Sequence, residues 1–158
     1  MRMENIEITD KLRLRPYNHE CEFALEWYQD RELLDLVDGE GSLSYDMEKL
    51  IRMYTYLNQI GELYFIEVKQ DKAFIPIGDV TLCKEDLPIV IGDKNYRGKG
   101  IGSKVIEALK IRARLLGYMQ LQVREIFSYN KGSQRLFEKK GFEKFKTTEK
   151  GYSYRCRL

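Results

Sequence analysis

The chain has 158 residues, 43% of them hydrophobic, which is enough for a globular core of ordinary size. Its 27 basic and 25 acidic residues leave a net charge of +2, so no global field draws it to nucleic acid or a membrane surface. No apolar run approaches the roughly 18 residues of a membrane span, and the charged, alternating start from Met1 to Ile8 does not read as a signal peptide.

The cysteines, Cys21, Cys83 and Cys156, are three in number and far apart, without a CxxC pair. That pattern predicts reduced thiols in a cytoplasmic protein, with neither a disulfide framework nor a metal site. With no repeat and no low-complexity linker, residues 1–158 read as a single domain.

In chain order, Ile6–Thr9 and Leu12–Arg15 alternate apolar and polar residues and predict a first strand, closed by Pro16. Asn18 is a cap candidate for a helix from about Glu20 to Leu36. Asp38-Gly39-Glu40-Gly41-Ser42 breaks it and offers a mobile acidic loop. Ser44 then precedes an amphipathic helix marked by Met47, Leu50, Ile51, Tyr54 and Leu57.

Leu63–Val68, Phe74–Leu82 and Leu87–Ile91 predict an antiparallel meander, with Pro76 and Pro88 at edge or bulged positions. Val105, Ile106, Leu109 and Ala113 mark the next helix, and Met119–Phe127 alternates as a strand. This strand, helix, strand order favours a parallel pair with a right-handed crossover. A short helix over Asn130–Lys140 ends at Gly141, and Phe142–Thr147 with Tyr152–Arg157 predicts a closing hairpin. The fold class is α/β, a mixed and mostly antiparallel sheet flanked by helices.

The most informative stretch is Arg97-Gly98-Lys99-Gly100-Ile101-Gly102-Ser103, between a short strand and a helix. Glycines uncover backbone N–H groups, and a helix start adds unpaired ones, so the stretch is built to hold a phosphate or pyrophosphate. A magnesium–nucleotide loop needs GxxxxGK followed by Ser or Thr. Here Gly92 and Gly98-Lys99 are one residue too far apart, and Gly100 occupies the hydroxyl position. A dinucleotide fold needs an acidic residue roughly 20 positions further on, where Leu121 and Gln122 stand.

Arg97-Gly-Lys-Gly-Ile-Gly102 matches R/Q-x-x-G-x-G/A, and Asn130-Lys-Gly-Ser133, Leu136-Phe-Glu-Lys139 and Gly141-Phe142 follow in order. In these motifs the chain resembles the GNAT superfamily of N-acetyltransferases. Leu12-Arg-Leu-Arg-Pro16, Trp27 and Pro76-Ile-Gly-Asp79 are similar to the subgroup of ribosomal-protein N-terminal, polyamine and aminoglycoside 6'-acetyltransferases.

The resemblance implies the GNAT fold, acetyl-CoA as donor without a metal, and a primary amine as acceptor. It implies a monomer or homodimer, and partners that are neither nucleic acid nor membrane. The pyrophosphate would lie on the N–H groups from Gly98 to Ser103, with Arg97 and Lys99 supplying charge. The pantetheine arm would run along Ile89, Val90, Ile91 and Gly92, with the thioester carbonyl near the Gly92 N–H. Asn130 and Ser133 would meet the arm's amides. Asp86 is the candidate general base, with Asp79 and Glu67 as alternatives, although Lys84-Glu85-Asp86 also reads as a solvated turn.

Phe137 stands where the family often has the tyrosine that protonates the leaving thiolate, with Tyr129 and Ser133 the nearby hydroxyls. That departure keeps open a second reading, a binding or sensing module of the same fold without turnover. Trp27, Tyr28, Tyr45, Tyr54, Tyr56, Tyr64 and Phe65 could line an acceptor pocket or fill the core. Asp35, Asp38 and Glu40 favour a cationic amine.

Overall fold

The computed structural model describes residues 3–158. Among them, five strands form one antiparallel sheet in the order β1 (Ile6–Thr9), β2 (Leu12–Pro16), β3 (Glu62–Gln70), β4 (Ala73–Leu82) and β5 (Ile89–Ile91). A second antiparallel sheet has the order β6 (Gln120–Phe127), β8 (Gly151–Arg157), β7 (Glu143–Thr147). The meander and the final hairpin are as the alternation predicts. The stretch expected to give one first strand gives two, folded on each other at Asp10-Lys11.

Helix α1 (Arg31–Val37) is shorter than the helix expected over Glu20–Leu36. The first part of that span forms two 3-10 turns, Glu22–Ala24 and Trp27–Gln29. Cys21, Ala24 and Trp27 are buried at three-residue spacing, which is the 3-10 repeat. Asp30 then leaves the helical region (ψ 117°) to cap α1 through the Glu32 N–H. Asp46, rather than Ser44, caps α2 (Met47–Ile60), accepting the Lys49 N–H at 2.8 Å. Helices α3 (Ile101–Leu115) and α4 (Lys131–Lys139) fall where the periodicity places them.

The first sheet is buried on both faces, and β3 shows why. Its residues Leu63 and Phe65 point to one side with Val90, under α1, α2 and Trp27. Tyr64 and Ile66 point to the other, against Val105, Ile106 and Leu109 of α3 and Leu121 and Val123 of β6. Pro76 pairs with Glu67 in β4, next to the register shift that leaves Ile77 as the extra residue, the kind of bulged position expected of a residue without an N–H.

The expected parallel pair is not formed: β5 and β6 are edge strands of separate sheets. One side chain accounts for much of this. The Asp86 carboxylate, just before β5, accepts the Leu87 N–H at 3.0 Å and the Arg124 N–H of β6 at 2.9 Å through the same oxygen. Arg124 lies in a bulge, since the β6–β8 register shifts between Val123 and Ile126. The Arg124 carbonyl is also taken by a side chain, the Ser153 hydroxyl, at 2.6 Å. A bulge bends and twists its strand, so β6 is held at Asp86 and diverges from β5 beyond it.

Asp79, at the centre of β4, is fully buried and accepts Tyr28 Oη at 2.6 Å and Tyr54 Oη at 2.8 Å on one oxygen. Glu67 is also buried, bound by Arg13 Nε and Arg15 Nε at 2.8 Å each. Both carboxylates offered as alternatives to Asp86 are thus committed inside the fold.

Two outcomes follow from these buried and bridging acids. Burial pushes the Asp79 carboxyl up to about 6 from the ordinary 3.8, against the opposing pull of the two tyrosine hydrogen bonds. The folded state then holds this proton more tightly than the unfolded chain, so stability falls as pH rises from about 4 through about 6. Asp79→Asn removes that dependence. In denaturant titrations the variant should gain on the wild type between those pH values, and parallel curves would contradict a raised carboxyl. Asp86→Ala leaves two backbone N–H groups without their acceptor and should cost about 1–2 kcal/mol, seen as a fall of several degrees in Tm. Asp86→Asn, which keeps the accepting oxygen, should lose less.

Candidate active site

Beyond the Asp86 bridge, the gap between β5 and β6 opens into a cleft of about 550 Å³. Its walls are β5, β6, the start of α3 and the start of α4, with Leu33, Leu36 and Val37 of α1 at one side. Most of the sequence-predicted residues meet here. Ile89, Val90 and Ile91 line it from β5; Arg97, Gly98, Gly100, Ile101, Gly102 and Ser103 line it from the loop and α3; Asn130 and Ser133 line it from α4. Asp86 lines it as well.

The loop's geometry follows from its glycines. Gly98 and Gly100 have φ of +71° and +81°, a conformation that residues with a Cβ rarely adopt. Gly100 caps α3 in the left-handed conformation; Ile101, Gly102 and Ser103, in the first turn of that 15-residue helix, line the cleft, and their N–H groups lack intrahelical acceptors. Asn130 caps α4, its Oδ1 accepting the Ser133 N–H at 3.1 Å. Two helix N-termini therefore face one cleft, which suits a ligand carrying negative charge.

Three expectations change. Gly92 is not among the lining residues; it packs on the Trp27 indole, where an added Cβ would lie 2.2 Å from Cδ2. Trp27 thereby demands glycine at the end of β5. Lys99 lines a second cleft instead, with Lys11, Lys69 and Lys104. The Arg97 side chain turns inward: Nε donates to the Ile91 carbonyl at 2.9 Å and Nη2 to the Gly92 carbonyl at 3.1 Å. Nη2 also lies 3.7 Å from Asp30 Oδ2, so Arg97 ties the glycine loop, the end of β5 and the start of α1 together.

Asp86 lines the cleft; its Oδ1 is bound to the Leu87 and Arg124 N–H groups and bridges the sheets, and among the described residues no hydrogen bond or ion pair engages its other oxygen. Phe137 is buried edge-on to Phe142, centroids 5.0 Å apart, and supplies no hydroxyl. Tyr129 stacks on Phe127 at 5.5 Å and donates to the Asp35 carbonyl. The acidic loop is pinned as well. Gly39 sits on the Phe127 ring, Tyr45 Oη donates to Asp38 at 2.8 Å, and Arg31 donates to Ser42 Oγ at 2.8 Å. Of the seven upstream aromatics, all but the exposed Tyr56 are core residues, and none lines the cleft.

Two residues of the site escaped the sequence reading. Gln134 is buried and donates to the Phe127 and Ser128 carbonyls at 3.0 Å each, fixing the turn from β6 into α4. Glu125 lines the cleft beside Ile126 and Phe127. Its signal was present: Leu121 and Val123 alternate, and the next buried position is Ile126, three residues on, leaving the polar doublet Arg124-Glu125.

The site fits acetyl-CoA in kind. The glycine loop can seat a pyrophosphate, and β5 offers an edge for an extended, amide-bearing arm.

The family model described as the acetyltransferase (GNAT) family matches residues 13–142. Solved structures agree in fold. A domain from Methanocaldococcus jannaschii superposes with a TM-score of 0.81 at 19% identity, over 94% of this chain and 99% of the other. A GNAT-family acetyltransferase from Bacillus anthracis gives 0.75 at 16% identity, over 98% of each chain. AAC(6')-Ib in complex with ribostamycin and coenzyme A gives 0.77 at 17% identity, over 94% of each. No curated protein matches the chain. The matched span covers most of the sequence, and the chain belongs to the GNAT family of acetyl-CoA-dependent acetyltransferases.

Proposed function

We propose that the chain transfers the acetyl group of acetyl-CoA to a primary amine on a small molecule or a peptide N-terminus, within the cytoplasm. The observation carrying this reading is that one cleft gathers the glycine-loop N–H groups, the β5 edge and the start of α4. When bound, acetyl-CoA supplies an acetyl group activated as a thioester.

The chain's residues divide the work. N–H groups from Gly98 to Ser103 hold the pyrophosphate, with the α3 dipole adding to them. Arg97 acts from behind, holding the Ile91 and Gly92 carbonyls so that the β5 edge keeps its line. Ile89, Val90 and Ile91 pair with the pantetheine arm, and Asn130 and Ser133 meet it from α4. The backbone N–H of Gly92 is assigned the thioester oxygen, although the residue packs on Trp27 and stands outside the residues that line the cleft. The departing thiolate needs no strong acid, since a thiol's pKa lies near 8.5.

The burial of Phe137 favours one other reading, an acyl-CoA-binding module without turnover. Free-thiol release over a panel of polyamine, aminoglycoside and peptide amines separates the two, because only the enzyme gives a signal. Under both, acetyl-CoA at about 100 times its Kd should stabilise the fold by about 2.7 kcal/mol, raising Tm by several degrees. No shift at millimolar acetyl-CoA would contradict both. Arg97→Ala should weaken acetyl-CoA about tenfold. Arg97→Lys should restore little, because an ammonium lacks the planar fork that spans two carbonyls; full restoration by lysine would show that charge alone matters.

A further inference from the structure

We propose that the acceptor is a monoamine carried on an apolar body, and that Leu36 and Val37 select it. That body is an alkyl or aryl group, or the apolar first side chain of a peptide. This rests on the acetyl-transfer reading above and names the acceptor class for the same cleft.

The first sheet has two faces, and the cleft is lined from both. Helix α3 and Phe137 of α4 pack on one face, while α1 packs on the other with Val90 and Phe65. The helix starts that suit phosphate, those of α3 and α4, belong to the first face. A donor seated there leaves the α1 face to the acceptor. On that face the wall consists of Leu33, Leu36 and Val37 with Val90 and Phe127.

Three observations set the chemistry of this wall. First, Leu36 and Val37 line the cleft yet stay 38% and 36% exposed. Apolar surface left wet in a concave site is stabilised when a ligand's apolar body covers it. Second, Phe127 is held in place, with Gly39 against its ring and Tyr129 stacked on it at 5.5 Å. The wall is therefore formed before a ligand arrives.

Third, the acids that would draw a polycation stand elsewhere. Asp35 pairs with Arg31 at 2.9 Å, and Asp38 accepts the Tyr45 hydroxyl at 2.8 Å. Neither they nor Glu40 line the cleft, whose carboxylates among the described residues are Asp86 and Glu125. One Asp86 oxygen is already taken by two backbone N–H groups. A polyamine or an aminoglycoside brings several ammonium groups, and the surplus would lose water against aliphatic side chains without gaining a partner. A monoamine has its one charge met by a carboxylate and its carbon body met by the wall.

The test uses the full chain with acetyl-CoA. Thiol release is followed for n-propylamine through n-hexylamine, phenethylamine, spermidine, ribostamycin and peptides beginning with leucine or serine. For the wild type, kcat/KM should climb by about fourfold per added methylene, the worth of a CH₂ taken from water. The best apolar amine should exceed spermidine and ribostamycin. Leu36→Ser and Val37→Ser should flatten the climb to about twofold or less per methylene, with the acetyl-CoA Kd within about twofold by calorimetry. Leu36→Met keeps the apolar surface and should keep the slope. Val37→Asp should raise spermidine relative to n-hexylamine by about tenfold, since it places a charge on the wall.

A leucine peptide used ahead of the free amines assigns the apolar body to a peptide, and the reverse order assigns it to a small molecule; both support the class. A wild type indifferent to chain length, or one that prefers spermidine or ribostamycin, overturns the class and leaves acetyl transfer standing. A slope that the serine variants do not change overturns the role of Leu36 and Val37. A panel silent throughout, with acetyl-CoA bound, overturns acetyl transfer to amines and this proposal with it.

Discussion

One carboxylate oxygen decides the shape of the site. Asp86 takes the N–H of Leu87, two residues before β5, and an N–H from the bulge of β6, and the second of these bonds is the hinge of a V between the sheets. Beyond the hinge, β5 runs for only three residues before Gly92, so the strands part with a short edge exposed on each. Had β5 and β6 zipped along their length, the ladder would have consumed the backbone groups that face the cleft. A β-sheet edge ordinarily invites pairing with another chain; here the family's ligand is an extended, amide-bearing arm that can pair there instead.

The same hinge separates two chemically different sides of the cleft. On one side the glycine loop and the α3 start offer N–H groups to phosphate, and Arg97 spends its guanidinium on the Ile91 and Gly92 carbonyls and on Asp30. On the other side the bulge carries Glu125, Gly39 of the α1–α2 loop packs on Phe127, and Tyr129 donates to Asp35 of α1. Several buried charges between these regions are satisfied internally. Unpaired charges inside a core are costly, and the pairing of Glu67 with Arg13 and Arg15 meets that cost by ion pairing within the first sheet.

Much of this was legible in the sequence where periodicity and glycine placement act locally. Helices α2 and α4 announce themselves by apolar spacing, although Asp46 caps α2 in place of the expected Ser44, and the Arg97–Ser103 loop by glycines at positive φ. What was hidden depends on partners distant in the chain. Nothing near Asp86 reveals that its second donor is Arg124, 38 residues on. Arg97 looked like a phosphate ligand because its carbonyl partners carry no side-chain signal. The span from Glu20 to Leu36 has helical residues throughout, yet burial at three-residue spacing and the Asp30 cap divide it. Glu125 was signalled only by a broken alternation, which is readable as a bulge once the partner strand is known.

We place acetyl-CoA in the gap between β5 and β6. Amide hydrogen exchange with and without acetyl-CoA tests it most directly, residue by residue. Bound acetyl-CoA should slow exchange at Ile89–Gly92, at Gly98–Ser103 and around Asn130–Ser133. Protection confined to the second cleft, around Lys11, Lys69 and Lys104, or no change in those three segments, would contradict it.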